Sequence, residues 1–574
     1  MFRHRLTAVP EKTRLLVLAF AVGICSGLAA VLLHSLIALI RGGLSSGVTP
    51  FSPALYYLVL PGVGMLISGL MVRFLIKDNI SHGVTKVLVA VSKKEWSIRP
   101  HNMWSSLITS SFTIGFGGSV GAEAPIVYTG AAIGSNFSRW MDMSYRSATI
   151  LVGCGAAGAV AGIFKAPLAG VLFTLEILLF NISMSSIMPL LFSAVSATVV
   201  SYLFTGQRPM FECDLTPFSI GNLPFYLVLG LFCGLVSVYF LRTTLGMEDL
   251  LSKIKNYYIK WVLCAVALGL LIYLFPPLFG EGYDSFGAML KGETPDIQGL
   301  SMSLPLFFLL VMIFKVFAMT FTNAGGGVGG TFGPTLFVGA IAGFVLARSF
   351  NLLPWAVSLP EQNFMLVGMA GLMAGVMQAP MTAIFLIAEI SGGYDLLLPL
   401  ILTATVSFGV MRFFEHYSIY SKRIANTGEL LTHDNDQAVL TLLKTDSFIE
   451  TDFVPVRIDA TLEDLVKAVS ASKRNIFPVV DGAGRFQGFV SLEDIRNEMF
   501  DKSLYQSRHV YNYMQTAPDY IYDDDRMDAV MKKFEMTSAW NLPVIKADRS
   551  YLGFISKSKI FSSYRDELKE LSRD

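Results

Sequence analysis

Gly117-Gly118-Ser119-Val120-Gly121-Ala122-Glu123-Ala124-Pro125 and Gly326-Gly327-Val328-Gly329-Gly330-Thr331-Phe332-Gly333-Pro334 are two versions of one phrase, 209 residues apart. Each is a glycine-rich turn inside apolar sequence. A helix broken at membrane depth is tolerated only where the freed backbone N–H groups meet protein, a water-filled cavity or an ion. Paired breaks in the two halves of a membrane protein point to a transport site. Helices restarting at these turns aim partly positive N-termini at that site, an arrangement suited to an anion.

A second pair supports the duplication. Ala157-Gly158-Ala159-Val160-Ala161-Gly162-Ile163-Phe164-Lys165-Ala166-Pro167 aligns with Ala370-Gly371-Leu372-Met373-Ala374-Gly375-Val376-Met377-Gln378-Ala379-Pro380 at an offset of 213, and the match continues to Glu176 opposite Glu389. Two motifs in one order at nearly one offset imply homologous halves, about 14–205 and 222–421, of inverted topology. Hydropathy places spans near 14–40, 54–76, 103–116, 146–163, 187–205, 222–242, 258–275, 303–321, 363–378 and 395–412. The segments 82–93, 123–137, 166–180, 332–349 and 380–391 are too short or too glycine-broken to cross alone and read as half-spanning or tilted helices. The polar stretch Gly280–Gly299 is the longest interruption.

Composition agrees. Of 574 residues, 53% are hydrophobic and 15% charged, with mean hydropathy +0.55, a membrane-protein profile. A net charge of +1 argues against a nucleic-acid binder, which needs a basic face. Cys25, Cys154, Cys213, Cys233 and Cys264 have no metal or disulfide spacing and read as small buried hydrophobes. The first apolar run is too long for a signal peptide, and Arg3, Arg5, Lys12 and Arg14 keep the N-terminus cytoplasmic.

Composition changes near 422. After the membrane part (1–421) comes a polar linker, 422–448, and then a soluble repeat with an offset of 65. Phe477-Pro478-Val479-Val480 matches Leu542-Pro543-Val544-Ile545, and Gly488-Phe489-Val490-Ser491 matches Gly553-Phe554-Ile555-Ser556. The units, 449–505 and 506–566, leave a short tail, 567–574. Each is too small to hold a core alone, so the two should pack as a pair.

These residues resemble a known family. Gly121-Ala122-Glu123-Ala124-Pro125, Gly330-Thr331-Phe332-Gly333-Pro334 and Ser418-Ile419-Tyr420-Ser421 are similar to the three ion-pathway signatures of CLC chloride channels and chloride/proton exchangers. The soluble units resemble paired CBS domains. The resemblance implies an all-α polytopic membrane protein with inverted repeats and broken helices, followed by a small α/β CBS pair. It implies a homodimer in the lipid bilayer, each subunit moving chloride, with no cofactor and no enzymatic activity. The expected setting is a bacterial inner membrane, with N-terminus and tail cytoplasmic.

Carried over by position, Glu123 is the gate that competes with chloride for the outer site. Thr331 and Phe332 offer backbone N–H groups to the central anion, Tyr420 its hydroxyl, and Ala124 lines the same path. His82 falls where a serine usually contacts that anion, although a slip of one residue puts Ser81 there. Ala122 stands where arginine is common. Exchangers place an inner proton acceptor one residue after Glu176, where this chain has Ile177. That substitution favours a passive channel, with chloride/proton antiport as the alternative and Glu176 as a possible substitute on the proton path. Asp494 matches a position that holds nucleotide ribose in some CBS pairs, so an adenine nucleotide is a further expectation, although its counterpart Lys559 fits a purely structural pair.

Each residue also has a plainer reading. Phe332 and Tyr420 seen alone are core aromatics, and Glu176 and Glu389 are symmetric helix-end carboxylates. Glu123 in apolar surroundings is functional by default. Gly117-Gly118-Ser119-Val120-Gly121 fits Gly-x-Ser-x-Gly, with His82 as base of a serine hydrolase. Such an elbow needs a strand-to-helix turn, and the repeat copy has no serine. A CBS-regulated divalent-cation transporter would gather carboxylates and other oxygen ligands, whereas this chain gathers helix N-termini around one glutamate.

Overall fold

The computed structural model describes residues 10–47, 53–78, 80–92, 96–178, 184–207, 210–211, 215–292, 303–353, 358–426, 445–525 and 527–562. The chain divides into two units, Met1–Leu430 and Leu431–Asp574. Most of the linker at 422–448 lies outside the described residues, as do Arg3, Arg5, Cys213 and the tail at 567–574.

In the first unit the inverted repeat is visible as matched packing. Helix Glu123–Trp140 lies against Tyr145–Phe164, and its counterpart Phe332–Asn351 lies against Glu361–Met377. Likewise Glu11–Gly47 packs on Met184–Thr205, and Leu223–Ser252 on Leu397–Phe414. Glycine allows the closest approaches. A Cβ on Gly130 would lie 2.1 Å from the Gly155 carbonyl oxygen, and one on Gly339 would lie 2.5 Å from that of Gly368. Such backbone contact drives helix association where lipid offers no hydrophobic contrast.

Among the described residues, nine helices are long and apolar enough to cross a membrane. Three expectations change: the segment read as a span at 363–378 is the 17-residue helix Glu361–Met377, which is not among the nine. The segment read as a span at 103–116 forms only the 11-residue helix Ser105–Gly115, about 16 Å long. Conversely, 332–349, read as glycine-broken, belongs to the continuous 20-residue helix Phe332–Asn351, whose glycines serve packing rather than interruption. The polar stretch after Phe279 holds a short helix, Tyr283–Leu290.

The second unit holds two three-stranded sheets in the same register, 65 residues apart. Val456–Arg457 runs parallel to Ile476–Val480, which is antiparallel to Phe486–Ser491. Ile521–Tyr522, Asn541–Ile545 and Tyr551–Ser556 repeat that order. Phe453, Phe486, Ile545 and Phe554 form a shared apolar cluster, so neither half is left with an open core. The fold is mostly helical, with a small α/β tail.

Candidate functional site

The two glycine turns lock each other by reciprocal hydrogen bonds. Gly121 N–H donates to Gly330 O at 3.0 Å, and Gly330 N–H returns to Gly121 O at 2.7 Å. Ser119 N–H donates to Thr322 Oγ1 and Val328 N–H to Thr113 Oγ1, at 3.1 and 3.0 Å. Every partner has its counterpart 209 residues away. Gly117 and Gly326 bend each chain with φ of 95° and 106°, a region that favours glycine. The turns therefore hold two helix N-termini, at Glu123 and Phe332, against one another.

Glu123 is the first residue of its helix and only 2% exposed. Its carboxylate lies at the N-terminus of the other half's helix, with Oε2 accepting from Gly333 N–H at 3.2 Å. Oε1 accepts from the Tyr283 hydroxyl at 2.7 Å. The seat depends on missing side chains. A Cβ on Gly121 would meet Oε2 at 2.0 Å, and one on Gly333 would meet Oε1 at 3.0 Å. A carboxylate oxygen thus occupies a backbone N–H site at a helix N-terminus, which is also a site for a small anion.

Thr331, Phe332 and Tyr420 lie beside this seat, each 2% exposed. Thr331 Oγ1 and the Tyr420 hydroxyl are 3.5 Å apart. Phe332 packs between Phe164 and Phe173, with ring centroids at 5.3 and 6.2 Å. Ala124 is buried beside Gly330, whose Cβ would meet the Ala124 nitrogen at 3.0 Å. His82 stands immediately before helix Gly83–Ser92 with φ 55°, and Ser81 is one residue further out. That helix packs on Ile419–Asn426, which carries Tyr420. The charged neighbours of His82 include Arg423, Glu248 and Lys86, the first two joined by bonds of 2.6 and 3.2 Å.

Glu176, read as a possible proton acceptor, is engaged as a helix cap. Its oxygens accept from Met381 N–H at 3.0 Å and Thr382 N–H at 2.6 Å. Glu389 does the same for Leu168 and Ala169, at 3.1 and 2.9 Å. Each carboxylate satisfies orphan donors at the start of the other half's helix. Ile177 is buried.

In the tail, both Asp494 oxygens are occupied. One accepts from Ser491 N–H and Oγ at 2.8 Å, the other from Gln515 Nε2 at 2.6 Å. A separate cleft of about 630 Å³ is lined by residues that include Asp452, Arg474, Ser558 and Lys559. The Arg474 guanidinium donates to Asp452 and holds its carboxyl below the usual carboxylate range.

Sequence reasoning missed Glu281 and Tyr283. Glu281 is 7% exposed and accepts Ala122 N–H at 3.1 Å, next to Glu123. The signal was a carboxylate between two glycines, Gly280-Glu281-Gly282-Tyr283, at the edge of an apolar run.

The voltage gated chloride channel family model matches residues 63–412, more than half of the chain, and the CBS domain model matches residues 446–501. A chloride channel protein CLC-e of Arabidopsis thaliana is 25% identical, over 85% of this chain and 76% of its own. An H(+)/Cl(-) exchange transporter ClcA of Cronobacter sakazakii is 28% identical, over 74% of this chain and 92% of its own. A slow cyanobacterial Cl-/H+ antiporter of known structure superposes with TM-score 0.63 at 24% identity, over 73% of this chain and 98% of its own. From these matches and the paired turns at its centre, the chain belongs to the voltage gated chloride channel (CLC) family, whose members are membrane transporters and not enzymes.

Proposed function

We propose that this protein exchanges chloride for protons, with Glu123 as gate and outer proton carrier. The observation that carries the reading is the Glu123 carboxylate at the Gly333 N–H, in a seat suited to an anion. A carboxylate there must leave or lose its charge before chloride enters, and protonation removes that charge. One group thereby links proton and chloride occupancy. The ClcA relative, named an exchanger, also favours exchange over the passive flow expected from sequence. A passive channel is the second reading, favoured by buried Ile177 after a fully engaged Glu176. Reversal potentials distinguish them: an exchanger's follows both gradients, whereas a channel's follows chloride alone.

The working assembly is a homodimer, each subunit with its own pathway, in a bacterial inner membrane with N-terminus and tail cytoplasmic. Chloride meets Thr331, Phe332 and Tyr420 next, where neutral donors stabilise an anion without trapping it. His82 tunes this inner part. Replacing the imidazole by a small neutral hydroxyl in His82→Ser should alter the chloride-to-nitrate flux ratio, because the side chain offered to a dehydrating anion changes in size and in donor geometry. An identical ratio would place His82 away from the path.

The tail modulates transport rather than forming the pore, since residues 431–574 make a separate unit. A truncation after about residue 440 should keep chloride/nitrate selectivity while changing rate or expression. Altered selectivity in a folded truncation would contradict this.

A further inference from the structure

Glu281 sits between Gly280 and Gly282, whose φ values of 63° and 90° hold the turn in a left-handed shape. The turn is pinned to the first glycine motif: Gly280 N–H donates to Gly117 O at 3.0 Å, and Ser119 Oγ donates to Leu278 O at 2.7 Å. Its position relative to Glu123 is therefore set by the same framework that sets the gate. From this turn one carboxylate reaches Ala122 N–H, and one hydroxyl reaches Glu123 itself.

We propose that Glu281 and Tyr283 are positioning residues for the gate, acting in opposite senses. Tyr283 holds the ionised Glu123 carboxylate in the outer seat, and Glu281 places a second negative charge beside it. The proposal rests on the reading of Glu123 as the gate. Hydrogen bonds to a carboxylate are roughly twice as strong as neutral ones, so Tyr283 favours the seated, closed state. A buried like charge works against it.

The other groups around the pair come from separate elements. Tyr420 faces Glu123 from the Ile419–Asn426 helix. Lys315, fully buried, donates to Gly280 O at 2.9 Å from the Leu304–Ala324 helix and interacts electrostatically with Glu281. Arg41, from the Glu11–Gly47 helix, approaches Gly280, where a Cβ would lie 2.5 Å from its Nη2. These cations offset part of the Glu281 field and account for a carboxylate being retained in a buried turn.

The test uses the full-length protein in vesicles, with chloride flux measured from mildly acidic to alkaline pH. Tyr283→Phe removes only the hydroxyl, and its flux–pH midpoint should move toward alkaline pH by about one unit, tenfold in proton activity. Glu281→Gln keeps an oxygen for Ala122 N–H but removes the charge. Its midpoint should move by a similar ~1 unit toward acid pH. In a Glu123→Gln background neither substitution should alter the pH profile. Opposite shifts that vanish in that background support the proposal, because general loosening of the site moves both variants the same way. Shifts in one direction, no shifts, or shifts that persist without the Glu123 carboxylate overturn it. If Glu281→Gln does not fold, an unmoved Tyr283→Phe midpoint is sufficient to overturn it. Failure of the gate reading looks different: Glu123→Gln alone would then keep the wild-type pH profile.

Discussion

Chloride efflux from vesicles carrying Glu123→Gln is expected to be fast and nearly independent of pH. In the wild-type protein a seated carboxylate blocks the Gly333 N–H, and an incoming anion must displace it or wait for a proton. If one titrating group controls opening, flux on the alkaline side falls about tenfold for each pH unit. The amide of glutamine fills the same volume, so the packing against Gly121 and Gly333 is kept. It carries no charge at any accessible pH, and its hold on the seat weakens accordingly. The variant should therefore run at neutral pH near the rate that wild type reaches only in acid. The decisive comparison is the slope of flux against pH in the two proteins. Equal slopes would remove Glu123 from the gate, whatever their absolute rates.

The framework of this site was legible because duplication leaves a signal at long range. Two phrases at offsets of 209 and 213 mark the halves, and the structure turns them into paired contacts, Ser119 with Thr322 and Val328 with Thr113. Those pairings were not readable in advance, since they depend on where the axis between the halves falls. Helix lengths misled for a related reason. Glycines in 332–349 look like breaks locally, yet Gly339 and Gly343 sit where another backbone comes within 2.5 Å and 1.9 Å of a built Cβ. The repeat pairs Glu176 with Glu389 as helix-end carboxylates, but it says nothing of the helix start 205 residues later that claims the Glu176 carboxylate. Glu281 and Tyr283 were hidden because they lie in a polar interruption and bond to Ala122 and Glu123, 159 and 160 positions away. A carboxylate held between glycines beside an apolar run is the pattern to examine in such loops. In the tail the 65-residue repeat predicts both sheets, whereas the occupation of both Asp494 oxygens by Ser491 and Gln515 is a property of packing alone.

Sealed vesicles with an outward chloride gradient, clamped by a potassium ionophore, should take up protons against their own gradient. If the chain exchanges, chloride leaving the outer seat lets Glu123 return, and the returning carboxylate alternates between a charged, seated form and a neutral, released one. Proton movement at a fixed ratio to chloride follows if the two forms face opposite sides. Glu123→Gln should abolish the uphill movement while leaving chloride flux brisk. Glu176→Gln should leave the ratio unchanged, because the native carboxylate is held by Met381 N–H, Thr382 N–H and Thr382 Oγ1 rather than offered to a path. Its cost belongs to stability: glutamine has one acceptor oxygen for two backbone donors, and leaving one unmet costs about 1–3 kcal/mol. A thermal melt should show that loss, and Glu389→Gln should show a similar one at Leu168 and Ala169. Loss of proton coupling in folded Glu176→Gln would return that residue to the proton path. No uphill proton movement in wild type, with chloride still flowing, would sink exchange and leave a gated channel, with Ile177 as the reason: an aliphatic side chain cannot take up a proton where one must enter.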